Sequence, residues 1–345
     1  MMLTRLLLCL ILPAAAAKAQ EAPRPALPDV PYGRHPRQVL DFYKARSNRP
    51  APLVFFIHGG GWSALDKANA ARMLDLPRLL EAGISVAAIN YRFVQHARQA
   101  GVEPPVKWPL EDAARALQFV RSKAGEWNID KLRIGACGGS AGGCSSLWLA
   151  MHDDMAQPAS ADPVARESTR LWCAAVVGGQ TSLDPHAMRE WIPNSTYGGH
   201  AFGFHTDGKN REAEFQRFYD ARDRILPFLR EYSPIEHASA GDPPLWLSYA
   251  QQEEAVKGRP QKDPTHSALF GVMLEQKLRP LGVEVILTYP AKPAGKYKNP
   301  TGYFLERLRA PAGRTEIRGD QGGFRLYRGG AVRIRSGRAG RRTAG

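Results

Sequence analysis

Residues 131–152, "KLRIGACGGSAGGCSSLWLAMH", set one serine, Ser140, among five glycines between an apolar run and a segment suited to a helix. The run "KLRIGAC" is short, apolar and stopped by glycines, which predicts a buried strand, and "AGGCSSLWLAMH" predicts the helix that follows. Ser140 therefore falls on a strand-to-helix turn. Gly138-Gly139-Ser140-Ala141-Gly142 has the Gly-x-Ser-x-Gly spacing such a turn requires, because bulkier neighbours clash when the serine is lifted clear of the sheet. The same turn aims the first backbone N–H groups of the helix at whatever oxygen reacts beside the hydroxyl.

Strands and helices alternate outward from this stretch. "APLVFFIHGGGW" predicts a buried strand at Leu53 to Ile57, followed by a helix around Ala68 to Ala82 and a second buried strand, "ISVAAINYR", ending near Asn90. "PLEDAARALQFVRSKAGEW" places Leu110, Ala113, Ala114, Leu117, Phe119 and Val120 mostly on one helical stripe, with Glu111 and Asp112 at the positive end of the dipole. Beyond Ser140, "WCAAVVGG", "PPLWLSYA" and "VEVILTYP" read as strands and "HSALFGVMLEQKLRPLG" as a helix. This alternation predicts an α/β fold with a mostly parallel central sheet and helices on both faces. From Asp184 to His237 the pattern gives way to aromatic-rich loops and one helix, "EAEFQRFYDARDRILPFLREY", which suits a cap inserted over the strand ends.

At 345 residues and 43% hydrophobic content the chain can bury one large core, which is placed in a single domain over 20–310. The start, "MMLTRLLLCLILPAAAAKAQ", has Arg5, a short apolar run and an Ala17-Lys18-Ala19 site, and reads as a signal peptide over 1–19, cleaved before Gln20. That run is too short to span a bilayer, so the expectation is a secreted or periplasmic protein with no membrane span in the mature chain. Removal of Cys9 leaves Cys137, Cys144 and Cys173, an odd number, so at least one thiol has no disulfide partner within the chain. No Cys or His cluster has zinc spacing, and no metal is expected; His200 and His205 in "GGHAFGFH" read as a polar loop. The formal charge is +14, but half of it sits in the Gly/Arg-rich tail, 311–345, with nine arginines against Glu316 and Asp320. Lacking apolar periodicity, the tail is expected to be a disordered, solvated extension, and no nucleic-acid partner is expected.

The second motif is "HGGGW", His58 to Trp62, at the end of the first predicted strand. Consecutive glycines let backbone N–H groups converge on an oxyanion, and with the Ala141 N–H they would form a hole in which each donor lowers the barrier by about 3 kcal/mol. The alternative, a phosphate-binding turn, lacks the Gly-x-x-x-x-Gly-Lys-[Ser/Thr] and Gly-x-Gly-x-x-Gly patterns.

With "FFIHGGGW", "INYR", "WPLEDAARAL", "IGACGGSAGG", "YSPIEHASAGDPPLWL" and the final "FLERL", the chain resembles the α/β-hydrolases over roughly Pro52 to Leu308. It is similar in particular to the HGGGW-type esterase and lipase branch, close to secreted carbohydrate-ester esterases of the feruloyl and acetylxylan type. The resemblance implies Ser140 as nucleophile and the N–H groups of Gly60, Gly61 and Ala141 as the oxyanion hole. His58, Gly59, Trp62, Gly138 and Gly142 complete the two motifs. It implies no cofactor, and a small-molecule or carbohydrate ester as substrate.

A serine hydroxyl needs an imidazole to take its proton, and that imidazole needs a carboxylate to fix its tautomer. In the resembled family the acid follows the penultimate strand and the histidine follows the last. Here the first loop is "AQQEEAVKGRPQKDPTHS", where Asp263 best matches the acid, Glu253 and Glu254 are alternatives, and "KDPT" also reads as a simple polar helix start. The second loop, "AKPAGKYKNPTGY", has no histidine, and none occurs after His266. His266 is the first choice for the base, with His200 or His205 entering from the cap as alternatives. Lys296 stands near the expected place but reads more simply as a solvated loop residue, while His58 and His237 read as structural. The missing histidine equally admits a pseudo-hydrolase that binds ligands in a pocket without a proton relay.

Overall fold

In the computed structural model, which describes residues 23–204, 210–250, 255–293 and 295–309, eight strands form one sheet. They are β1 (Leu27–Pro31), β2 (Val39–Tyr43), β3 (Ala51–Ile57), β4 (Ser85–Ile89), β5 (Ile129–Gly139), β6 (Cys173–Val177), β7 (Leu245–Ser248) and β8 (Val285–Thr288). Their order is β1-β2-β4-β3-β5-β6-β7-β8. All neighbours from β4 to β8 pair in parallel, whereas β1 and β2 form an antiparallel edge.

The parallel strands are buried on both faces, and β3 shows how. Leu53, Phe55 and Ile57 join one apolar cluster while Val54 and Phe56 join another, so successive side chains feed two separate helix layers. The first layer holds the helices Lys107–Ser122 and Ala141–Met151, the second the C-terminal helix Pro300–Arg307 through Tyr303 and Phe304. Every residue of Ala141–Met151 is buried, which accounts for its all-round apolar sequence.

Two expectations change, and one pair of strands is additional. The antiparallel edge β1–β2 went unread, since five-residue strands at a sheet edge carry little periodic signal. The helix expected around Ala68 to Ala82 is broken into a 3₁₀ turn, Lys67–Asn69, and two short helices, Ala70–Met73 and Leu76–Glu81. Asp75 interrupts it by capping Arg78 N and donating its own N–H to Thr301 Oγ1 at 2.9 Å. The single helix expected before Tyr232 divides into Arg211–Asp220 and Leu226–Tyr232, because Pro227 fits only the first turn of a helix.

The stretch from Asp184 to His237 otherwise holds Pro185–Trp191 and the 3₁₀ turns Gly199–Phe202 and Pro234–His237. Its Met188, Phe215 and Phe218 are buried in the first apolar cluster. Cys137, Cys144 and Cys173 are buried, and none forms a disulfide. No helix of the described residues is long and apolar enough to cross a membrane. The expected signal peptide, the tail over 311–345, His205, Glu253 and Glu254 lie outside the described residues.

Candidate active site

Ser140 follows β5, the central strand flanked by β3 and β6, and precedes the helix Ala141–Met151. Its backbone has φ 52° and ψ −124°, a region costly for any residue with a side chain. The turn is held by Ser140 N–H donating to Val177 O at 2.9 Å, while Cys144 N–H donates to Ser140 O to start the helix. The flanking glycines are needed for space. A Cβ on Gly142 would overlap the carbonyl oxygens of Ile57 and His58, and one on Gly138 would overlap the Gly142 backbone and Ile57 O.

The glycine loop after β3 runs beside this turn. Gly60 and Gly61 take positive φ values, 86° and 59°, and a Cβ on Gly60 would collide with the Ala64 carbonyl. Trp62 closes the loop from below: it is fully buried, and its Nε1–H donates to Ser145 Oγ at 3.0 Å. Ser145 lies on the helix that begins beside Ser140 and donates to Ala141 O, so one indole ties the loop to that helix.

His58 anchors the other side of the loop. The Arg37 guanidinium can only donate, so His58 Nε2 accepts from it at 3.3 Å, and Nδ1–H donates to Gly59 O at 2.9 Å. Tyr91 stacks on the imidazole and shares its hydroxyl proton between the carbonyls of His58 and Gly59. Burial drives the His58 imidazole down to about 4, against the Gly59 hydrogen bond and with the help of the Arg37 cation, so it is neutral at pH 7. His58 is thus a prop for the glycine loop.

The loop after β7 supplies two more polar groups. His266 Nε2 lies 2.9 Å from Ser140 Oγ, and His266 Nδ1 lies 2.8 Å from Asp263 Oδ2. A carboxylate only accepts, so Nδ1 carries the proton and Nε2 is left to accept from the serine hydroxyl. The second oxygen, Asp263 Oδ1, accepts from the backbone N–H groups of His266 at 3.1 Å and Thr265 at 3.2 Å, which fixes the carboxylate plane. Gly178, just after β6, packs against His266 so closely that a Cβ there would meet its Cβ at 3.3 Å and its ring at 3.4 Å.

The other candidates among the described residues make different contacts. His200 Nε2–H, from the Gly199–Phe202 turn, donates to Gly61 O at 3.0 Å and so braces the glycine loop after β3. Lys296 pairs with Glu306 at 2.5 Å on the surface, and His237 Nε2–H donates to Glu231 O.

Three supporting residues carried no signal in the sequence. Buried Gln180 holds the His266 loop by donating to Thr265 O at 2.7 Å. Asn194 clasps the same loop reciprocally, donating to Gln261 O and accepting from Gln261 N–H. Arg37 reaches His58 from the β1–β2 connection. Side-chain to backbone bonds across so many residues have no fixed spacing by which to find them.

Ser140, His266, Gly60 and Gly61 open onto a cavity of about 870 Å³, whose far wall includes Tyr197 and Phe215 from the Asp184–His237 stretch. The arrangement offers a hydroxyl with an adjacent proton acceptor, and a glycine loop beside it, in a space large enough for a small organic molecule.

Among known proteins, the chain is 28% identical over 243 residues to the probable carboxylic ester hydrolase LipM of Mycobacterium tuberculosis (strain ATCC 25618 / H37Rv), covering 66% of this chain and 48% of that protein. It is 24% identical over 235 residues to esterase LipC of the same organism, covering 64% and 50%. The chain therefore spans about half the length of these curated relatives. Solved structures share the fold. A carbohydrate esterase from gut microbiota, in truncated form, superposes with a TM-score of 0.58 at 20% identity over 82% of this chain and 95% of that one. An acetyl ester-xyloside bifunctional hydrolase from Caldicellulosiruptor lactoaceticus gives 0.52 at 24% identity over 74% and 78%. The BD-FAE family model matches residues 40–263, from β2 to Asp263, and the chain belongs to this family of α/β-hydrolase esterases.

Proposed function

We propose that this protein is a secreted serine esterase whose nucleophile is Ser140, base His266 and orienting acid Asp263. The observation that carries the reading is the unbroken hydrogen-bond chain from Ser140 Oγ through His266 to Asp263, at 2.9 and 2.8 Å. Ser140 Oγ attacks the ester carbonyl carbon as its proton passes to His266 Nε2, and Asp263 stabilises the imidazolium through Nδ1–H. The N–H groups of Gly60, Gly61 and Ala141 receive the oxyanion, and no metal or organic cofactor takes part. The C–O bond then breaks, the departing alkoxide takes the proton from His266, and water, activated by the same imidazole, releases the acid from Ser140.

The substrates we infer are acetyl or feruloyl esters of carbohydrates. Two features support this class: the structural neighbours include a carbohydrate esterase and an acetyl ester-xyloside hydrolase, and the cavity pairs aromatic Tyr197 and Phe215 with polar Gln95 and Arg98. In this reading the Asp184–His237 stretch serves as the cap. The His266 contact supports a proton acceptor from the loop after β7 and weighs against a binding-only protein.

The test is hydrolysis of p-nitrophenyl acetate by the chain starting at Gln20, beside Ser140→Ala and His266→Ala. Wild type is expected to turn over, with both variants at least about 10⁴-fold slower. A wild type no faster than Ser140→Ala refutes the esterase reading and leaves a protein that binds in this pocket. Loss in Ser140→Ala alone places the base elsewhere.

A further inference from the structure

Away from the Ser140 cavity, three side chains that bind metals meet at the other end of the same helix. His152 caps the C-terminus of Ala141–Met151, Glu231 lies near the end of Leu226–Tyr232, and His237 ends the 3₁₀ turn Pro234–His237. One ligand atom from each lies within 4.8 Å of the other two.

The local hydrogen bonds define what this cluster presents. His152 Nδ1 sits 2.8 Å from Asp153 O, and since a carbonyl cannot donate, Nδ1 carries the proton. A neutral His152 then turns the lone pair of Nε2 toward Glu231 Oε1 at 3.2 Å, two acceptors face to face. At 3.2 Å, these two atoms are spaced as two ligands of one dication are. The His237 ring stands 4.6 Å from the His152 ring, and with its Nε2–H on Glu231 O it has Nδ1 to offer a cation.

The surroundings match what a metal site needs. A backbone carbonyl accepting the remote N–H of a ligating imidazole is the usual means of aiming the ring, and His152 has this partner. Glu231 is held by its own carbonyl, which accepts from Trp148 Nε1–H at 2.8 Å and from His237 Nε2–H at 2.6 Å. The Trp148 indole, almost wholly buried, also packs on the His152 ring at 4.8 Å. An open cavity of about 600 Å³ borders Glu231 and His237, giving water access to a fourth position.

We infer that His152, Glu231 and His237 form a zinc site that staples the Leu226–His237 segment to the helix carrying Ser140 at its opposite end. Two imidazoles and one carboxylate suit Zn²⁺ with one water, with bonds of about 2.0–2.2 Å. Ligands on one tetrahedral zinc ion stand about 3.4 Å apart, so a pair as wide as 4.8 Å closes by about 1.4 Å on binding. The helix from Ser140 to His152 is about 18 Å long, which makes the metal structural and removes it from the reacting atoms.

The test uses the tag-free full chain, stripped with EDTA and titrated with ZnCl₂, beside the double variant His152→Gln/His237→Gln. The inference expects one equivalent of Zn²⁺ bound, a Tm raised by several degrees at a hundredfold excess over Kd, and neither effect in the double variant. Co²⁺ in place of Zn²⁺ gives a second readout, the strong visible absorption of a tetrahedral ion, expected in wild type and absent in Glu231→Gln. Ester hydrolysis by the metal-free variants reports that they are folded. Absence of saturable Zn²⁺ binding in wild type, or equal binding by the folded double variant, overturns the inference.

Discussion

Replacing Asp263 by asparagine tests the proposed relay at its least conspicuous member. The wild-type carboxylate makes three bonds: Oδ2 to His266 Nδ1, and Oδ1 to the N–H groups of His266 and Thr265. An asparagine has one oxygen and one NH₂ group, and its orientation is decided by these partners. With the oxygen on the two backbone donors, both bonds survive and the NH₂ faces Nδ1. With the amide reversed, two N–H groups lose their acceptor at about 1 kcal/mol each, before any cost of leaving them unsatisfied. The first orientation therefore prevails by about 2 kcal/mol, roughly a thirtyfold preference. It forces Nδ1 to accept, which moves the imidazole proton to Nε2, where it blocks transfer from Ser140. Loss of the correct tautomer in a serine–histidine–aspartate triad costs about 10⁴ in kcat, or about 5.5 kcal/mol of barrier. The assay is kcat/KM for p-nitrophenyl acetate, with a thermal melt to show that Asp263→Asn keeps its fold, as retention of both backbone bonds requires. Activity within tenfold of wild type in a folded variant would refute the assignment of Asp263.

Two further outcomes follow from the geometry. Ser140→Gly and Ser140→Ala both lose the hydroxyl, but only glycine escapes the strain of φ 52°, which is about 1–3 kcal/mol. After the entropy glycine adds to the unfolded chain, Ser140→Gly is expected to be the more stable by about 1 kcal/mol, a Tm higher by about 2 °C; a lower Tm for glycine contradicts the strained turn. For pH, burial holds His58 at about 4 in the fold against 6.5 when exposed, so between these values the unfolded chain binds a proton that the folded chain does not. Stability from this group is complete above pH 6.5 and falls as pH drops toward 4, by about 2–3 kcal/mol at pH 4.5. Asp242 acts in the opposite sense, because burial pushes its carboxyl up to about 6, so wild type must be compared with His58→Gln. Urea unfolding at pH 7 and 4.5 is expected to show the steeper acid loss in wild type; equal slopes would mean that His58 is not buried neutral.

What the sequence determined by itself is what short-range chemistry controls. A short apolar run stopped by glycine can hardly be other than a buried strand end, so β3, β4, β5 and the Ser140 turn were legible, and the alternation of runs gave the parallel sheet. The glycines around Ser140 and after His58 were legible for the same reason, since backbone crowding acts between residues close in the chain. Asp263 and His266 could be paired with each other because three residues on a loop are neighbours in any fold. Which histidine faces Ser140 was a tertiary matter: His266 is 126 positions away, and only the strand order, with β7 beside β6 and β6 beside β5, carries its loop to the serine. Long-range order likewise decided the break at Asp75, which depends on Thr301, and the clasp of Asn194 on Gln261. The meeting of His152 with Glu231 and His237 arises in the same way, because side chains from separate elements share a place only once burial of the apolar faces has fixed how those elements pack.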